Sequence, residues 1–353
     1  MSRRNKQFFG GKATVESPKN YAPGDILAKM KDGREYEALL EVQGALNLDV
    51  RAELALALRA LEVARGRPAI IYAGNVIRQM PGASVSIDLA DHLPFSELVG
   101  SIDAGATAVD VVLTTPGGLA QQVSHFVNRL RPRFKDVAFI VPYMAMSAGT
   151  IWALSGNEIW MDERAYLGPI DPQVPGRDGR YVPAQALLVL LKRIQDTGAA
   201  ALKQAQHPPW SDVQILRQID AKEIGNVLSL TQYSIQLSAS YLETHKFRDW
   251  TVHSSTGATV TAAEKTARAL DVATKLCSHE QWRTHSHGLA RDVVEKDLQL
   301  QIGHPEATDT FGRALRRLGA LMYWLFENTQ IAKIYLSQSY GLFRQQPRGT
   351  PNE

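Results

Sequence analysis

The sequence predicts an α/β fold: a parallel sheet covered by helices, with helical additions before and after it. Three observations carry this expectation. Between residues 66 and 175, short apolar runs rich in β-branched residues alternate with stretches of helical period, the pattern of strands joined by helical crossovers. Those runs are apolar almost throughout, as strands buried on both faces must be. Finally, 353 residues with 44% apolar side chains suffice for a sizeable core.

The elements follow in chain order. Residues 1–40 scatter Gly10-Gly11, Pro18, Pro23 and Gly24 among charges and read as an irregular arm. Leu39, Leu40, Val42, Leu46, Leu48, Leu54, Leu56, Leu58 and Leu61 then recur at helical spacing, so one or two amphipathic helices are expected over 37–64. Gly66-Arg67-Pro68 breaks the helix, and a strand follows at 69–73. A second strand is expected at 108–114. Pro116-Gly117-Gly118 makes a tight turn, and a helix carries Leu119, Val123, Phe126, Val127 and Leu130 on one face. The basic cluster Arg129, Arg131, Arg133 and Lys135 suits that helix's C-terminal dipole. A strand at 137–141, a turn at 142–147, a helix from 148 and a strand at 158–161 complete the alternation. Beyond it the pattern is helical: 183–205, then from 211 or 221 to 242, and most of the tail after 260. The tail ends in the stripe Leu315, Leu318, Leu321, Met322, Leu325, Ile331 and Ile334. The expected division is an N-terminal arm and helices (1–65), a catalytic α/β unit (66–250), a helical extension (251–345) and a disordered end (346–353).

Composition excludes several classes. A single cysteine, Cys277, rules out a disulfide scaffold and a Cys-based zinc cluster, and fits a reducing compartment. The formal net charge of +3, from 39 basic and 36 acidic residues, is no nucleic-acid footprint. Met1 to Lys6 begins like a signal peptide, but Phe8-Phe9-Gly10-Gly11-Lys12 lacks the apolar core, so the twin Arg3-Arg4 reads as a solvated tail. From Val137 to Asn157 no residue is charged, long enough for a bilayer span. Pro142, Ser147, Gly149, Ser155 and Gly156 interrupt it, and strand, turn and buried helix explain it better. No Gly-x-Gly-x-x-Gly turn or Walker lysine loop is present, so no cofactor is expected.

Two turns are chemically loaded. In Thr114-Thr115-Pro116-Gly117-Gly118, adjacent glycines let backbone N–H groups approach a bound group, with a helix starting behind them. That suits an oxyanion hole or anion nest, or a plain turn. In Tyr143-Met144-Ala145-Met146-Ser147-Ala148-Gly149-Thr150, a serine meets a helix N-terminus among small neighbours. It reads either as a nucleophile or as a simple N-cap. Ala145 stands where a Gly-x-Ser-x-Gly elbow would need its first glycine.

The order Asp110, Thr115-Pro116-Gly117-Gly118, Val141 to Thr150, Met161-Asp162 and Leu167-Gly168-Pro169-Ile170-Asp171-Pro172-Gln173 resembles the serine dehydrogenase proteinase family, of the Clp-protease/crotonase superfamily and near the signal peptide peptidase A enzymes. The likeness is dense from 65 to 190, and looser at Thr284-His285, Ala290 and Leu298. It implies a Clp-protease/crotonase-like sheet and a serine peptidase. Ser147 would be the nucleophile, and the N–H groups of Gly118 and Ala148 the oxyanion hole, with Pro116, Gly117, Gly149 and Asp171 in support. It also implies a trimer or hexamer, with the stripe from Phe311 to Leu336 as either assembly surface or core.

The base is open at this level. Clp proteases place a histidine after the nucleophile helix, but Tyr166 to Asp171 contains none, which argues against a triad in that geometry. Signal peptide peptidases use a lysine, which needs burial or a neighbouring cation to be neutral near pH 7. Lys222, before a long uncharged helix, best resembles that position, although Asp220 and Glu223 flank it; Lys192 and Lys203 are the alternatives. His285 could line the cleft, be structural or itself serve as the base. With His287 it lacks a third ligand for a metal, so none is expected. His92 and His125 read as loop and packing residues, and Asp171 as a turn former rather than a triad acid. The expected protein is a cytoplasmic serine peptidase with a Ser-Lys pair acting on peptide or protein substrates, without nucleic acid or transmembrane segment. Rival readings are an acyl-CoA enzyme of the crotonase type, using the same oxyanion turns, or an inactive peptide-binding scaffold.

Overall fold

The computed structural model describes residues 21–41, 49–175, 181–253 and 256–345. The expectations for 1–20, for Val42, Leu46 and Leu48, and for the end at 346–353 lie outside the described residues. Within the expected irregular arm, Asp25–Lys29 and Glu35–Leu40 are helical instead, because Ile26 and Leu39 are buried in the core.

The strands are β1 (Ala69–Gly74), β2 (Ala108–Thr114), β3 (Asp136–Val141), β4 (Met144–Ala145), β5 (Glu158–Met161), β6 (Tyr166–Leu167), β7 (Gln173–Pro175), β8 (Tyr181–Pro183), β9 (Leu289–Ala290), β10 (Ile331–Leu336) and β11 (Gly341–Gln345). Six form the main sheet, in the order β11-β10-β1-β2-β3-β5. β1, β2, β3 and β5 run parallel, while β10 and β11 add an antiparallel edge. The α/β class and the parallel strand block are therefore as the sequence predicts.

Strand period divides the core in two. Ile70, Tyr72, Val109, Val111, Leu113, Val137, Phe139 and Val141 point to one face, where Ile151, Trp152 and Leu154 of the helix Ala148–Leu154 pack. Ile71, Ala73, Val112 and Ile140 point to the other. There they meet Leu54, Leu58 and Leu61 of Val50–Arg65 and Leu315, Leu318, Leu321 and Leu325 of Thr310–Asn328. The helix Val50–Arg65 starts where the Asp49 side chain accepts the Ala52 N–H at 3.0 Å and stops at Gly66, whose φ of 68° only glycine adopts cheaply.

Of the two readings of the C-terminal stripe, the core reading holds, because Phe311, Leu315, Leu318, Leu321 and Leu325 are buried against the chain's own sheet. The stripe departs from expectation in not being all helix: the helix ends at Asn328, and Ile331 and Ile334 lie on β10. The β-branched, fully buried run Ile331-Ala332-Lys333-Ile334-Tyr335-Leu336 gains more by pairing along β1 than by continuing the helix.

The uncharged stretch from Val137 resolves into most of β3, then β4, a turn and the helix Ala148–Leu154. Among the described residues no helix is long and apolar enough to cross a membrane. A second, three-stranded sheet, in the order β4-β6-β9, stands at the C-terminal end of the parallel strands.

Candidate active site

Both loaded turns leave the C-terminal ends of neighbouring strands, β2 and β3, and they are stitched together. The Thr115 N–H donates to the Met144 carbonyl and the Met146 N–H to the Thr115 carbonyl, each at 3.0 Å. The glycines are required by this closeness. A Cβ on Gly117 (φ 104°) would lie 2.7 Å from Ser147 Cβ and 2.8 Å from the Met146 carbonyl oxygen. One on Gly118 (φ 139°) would lie 2.2 Å from the Ile87 carbonyl oxygen, and one on Gly149 2.4 Å from the Thr115 methyl. Ile87 clamps the first turn: its N–H donates to the Gly117 carbonyl at 2.7 Å, and its own carbonyl accepts from the Leu119 N–H at 2.9 Å. Pro116 is half-buried in the same turn.

Ser147 has φ 51° and ψ −118°, a conformation that L residues rarely adopt. Strain of this kind costs on the order of 1–3 kcal/mol and persists where surrounding structure imposes it, characteristically at functional sites. The hydroxyl does not cap the helix behind it, so the N-cap reading does not account for the serine. Among the described residues the N–H groups of Gly118 and Ala148 have no hydrogen-bond partner. Two unengaged donors therefore flank a serine held on a strained turn at a helix N-terminus.

The small sheet gathers the remaining groups. β4 leads to Ser147 two residues on. β6, parallel to β4, leads to Asp171 four residues on, and the start of β9, antiparallel to β6, is reached from His285 four residues before it. All three residues therefore stand off the same edge of this sheet. Thr150 ties its layers, its hydroxyl lying 2.7 Å from the Ala145 carbonyl and 2.9 Å from that of Gly168. Asp171 is 1% exposed, and its Oδ1 lies 2.8 Å from His285 Nδ1. His279 Nδ1 lies 3.9 Å from Asp171 Oδ2, and neither of those two atoms has a hydrogen-bond partner. Asp171, which reads as a turn former in sequence, is thus a buried carboxylate gripping a histidine.

The three lysines are all exposed. Lys222 sits in the first turn of Ala221–Tyr241, where its N–H donates to Asp220 Oδ1. Lys192 pairs with Asp196 at 2.6 Å, and Lys203 ends its helix. A half-buried lysine does exist that the sequence did not single out. Lys246 is pushed down to about 8 by burial, but it reaches the Asn157 carbonyl beyond the far end of the helix that Ser147 begins. His287 stacks on Trp282, and His92 meets His125 edge to face. Burial, with Asp171 nearby, pushes the Cys277 thiol up to about 12, which suppresses its thiolate. Among the described residues no group of three or more His, Cys, Asp or Glu side chains could hold a metal ion.

Comparison with known proteins agrees with the motif reading. Residues 101–202 match the family of ClpP-like SDH-type serine proteinases. Two uncharacterized proteins of Methanocaldococcus jannaschii are similar to this chain. One is 38% identical over 91 residues (26% of this chain, 29% of the relative), the other 39% identical over 80 residues (23% and 26%). The chain thus spans less than a third of the length of these relatives. Among solved structures, a variant of the membrane-bound stomatin-specific protease 1510-N aligns over 62% of this chain and 74% of its own, at 14% identity and a TM-score of 0.35. A ClpP1 variant from Listeria monocytogenes aligns over 49% and 91%, at 12% identity and a TM-score of 0.26.

Proposed function

We propose that this chain, whose residues 101–202 match the ClpP-like SDH-type serine proteinases, hydrolyses peptide bonds with Ser147 as nucleophile. The observation that carries the reading is the strained Ser147 turn beside the two unengaged N–H groups. Ser147 Oγ attacks the carbonyl carbon, and the resulting oxyanion is received by the N–H groups of Gly118 and Ala148. One such donor is worth about 10²–10³ in rate.

His285 is the base, in preference to Lys222. A lysine base depends on burial or a neighbouring cation, and Lys222 is exposed beside Asp220 and Glu223. His285, by contrast, donates from Nδ1 to the buried Asp171 carboxylate, which fixes the tautomer and leaves Nε2 to accept the serine proton. The imidazolium then returns that proton to the leaving amine. Water, deprotonated by the same nitrogen, releases the acyl group from Ser147.

Assembly into a homo-oligomer is part of the proposal. Its surface is the arm Ala184–Lys203, Trp210–Gln218 and the start of Ala221–Tyr241, which leaves Val189, Leu202, Trp210, Leu216 and Leu228 exposed. Sedimentation of Trp210→Ser and Leu216→Ser variants tests it: a monomeric wild type refutes assembly.

The test of the chemistry is fluorophosphonate labelling with mass mapping. An adduct on Ser147, lost in Ser147→Ala and His285→Ala but kept in Lys222→Ala, is expected. No adduct on folded wild-type protein refutes the peptidase reading, and loss in Lys222→Ala alone returns the base to lysine.

A further inference from the structure

A cavity of about 470 Å³ opens at the C-terminal ends of the parallel strands, on the sheet face opposite the helix that Ser147 begins. Thr114, in phase with Val112 on β2, faces it, as does the helix Thr310–Asn328. Its volume falls in the range of small-molecule sites, about 300–1,000 Å³, and open α/β sheets bind ligands at this end.

Three tyrosines form its box. Tyr323 stands at 88° to Tyr36, with centroids 5.7 Å apart, and at 88° to Tyr143, at 5.9 Å. Rings at right angles present both faces and edges to one space. Glu327, on the same wall, accepts a hydrogen bond from the Tyr36 hydroxyl. Burial and Glu327 push that phenol up to about 12, so it remains a donor. Among the described residues the Glu327 carboxylate has no cationic partner, whereas the nearby arginines are engaged. Arg34 pairs with Glu37, Arg164 with Asp162 and more distantly Glu35, and Arg78 donates to the main-chain carbonyls of Glu327 and Thr329. Deeper in, Thr114 is 4% exposed, and its hydroxyl has no hydrogen-bond partner. A buried hydroxyl left unpaired is costly unless a ligand meets it.

We propose that this cavity binds an alkylammonium cation, its head enclosed by Tyr36, Tyr143 and Tyr323 against Glu327, with a polar group of the ligand on the Thr114 hydroxyl. Ring faces attract a cation through their quadrupole, and the carboxylate supplies the counter-charge. An anion would meet Glu327, since the two arginines that also line the cavity, Arg34 and Arg164, are already paired with carboxylates, and a neutral group would forgo both attractions. The cation can be a free amine or a lysine-type side chain of a peptide.

Calorimetric titration of the full chain with n-butyltrimethylammonium, with N-acetyl-trimethyllysine amide and with 3,3-dimethylbutanol, the uncharged isostere, tests the assignment. The cations are expected to bind at least about tenfold more tightly than the alcohol, as a cation–π box with a carboxylate requires. Glu327→Gln and Tyr323→Leu should each weaken the cations about tenfold while leaving the circular dichroism unchanged. Thr114→Val should weaken the amide more than the simple ammonium. Equal binding of alcohol and cation, indifference of both Glu327→Gln and Tyr323→Leu, or no saturable binding of either cation overturns the proposal. Tighter binding of the amide assigns the site to peptides, and the reverse order to free amines; both uphold the cation. Ser147→Ala should bind as the wild type does, so failure here is distinct from failure of the peptidase reading.

Discussion

Substituting Gly117 with alanine probes how closely the two turns must approach. The new Cβ would lie 2.7 Å from Ser147 Cβ and 2.8 Å from the Met146 carbonyl oxygen, both backbone-borne and unable to rotate away. Carbon–carbon contacts settle at about 3.5–4.0 Å, so the separation must open by about 1 Å. A displacement of that size at a reacting group costs about 10²-fold in rate. The backbone at φ 104° adds about 1–3 kcal/mol of conformational strain, and the overpacking about as much again. The assay is the second-order rate of fluorophosphonate labelling, with a urea melt alongside. Gly82→Ala is the control, because Gly82 has φ 75° with nothing within 4 Å of an added Cβ. It should lose stability from strain alone and label at the wild-type rate. If folded Gly117→Ala labels as fast as wild type, Ser147 does not depend on this turn, and the oxyanion assignment to Gly118 fails with it.

Three further outcomes are expected. Asp171→Asn should slow labelling by about 10²–10⁴-fold with the protein still folded, since the amide no longer fixes the His285 tautomer; an unchanged rate would remove Asp171 from the mechanism. Lys246, at about 8 when folded against 10.5 as a free side chain, has a depressed value, so the unfolded chain binds the extra proton. Stability therefore rises with pH between those values, and the cost, on the order of 3 kcal/mol, is fully present below the lower one. Lys246→Met should accordingly raise the urea midpoint at pH 7, with a gain that fades towards pH 10.5; a gain independent of pH would refute the linkage. Lys333 is 1% exposed, with its Nζ 2.6 Å from the buried Asp91, which Tyr72 and Tyr335 also contact. Lys333→Met removes the cation nearest that carboxylate, leaving Arg344 at 3.5 Å, and should cost about 3–5 kcal/mol in a urea melt. A loss below about 1 kcal/mol would mean that Arg344, the two tyrosines and the Asp88 N–H satisfy Asp91 without Lys333.

What the sequence revealed was whatever is local. The parallel strands are legible because burial on both faces forces unbroken apolar runs, and the Ser147 and Gly117-Gly118 turns because small residues are needed at fixed neighbouring positions. The pairing of Asp171 with His285 was not legible. These residues lie 114 positions apart and are brought together by β4, β6 and β9, two residues each and too short to show a period. β10 escaped for a different reason. Ile331 and Ile334 follow closely on Leu318, Leu321 and Leu325 and are themselves three apart, a spacing common in helices, so the strand reads as part of the helix before it. Lys333 in its middle is a charge that the sequence gives no reason to bury, and its partner Asp91 lies far back along the chain.

The place of β10 also bears on how the chain comes into being. β1, complete by residue 74, lies between β2 and a strand that begins at residue 331. Until residues Ile331–Leu336 have been made, one border of β1 presents unpaired amides, an invitation to pair with another chain. The main sheet, from which both loaded turns leave, therefore gains this neighbour of β1 long after β1 itself, and such distant pairing is slow to form. A nascent or truncated chain that stops short of β10 holds both turns yet lacks the strand that completes their foundation, so the turns take their final geometry only after β10 has paired.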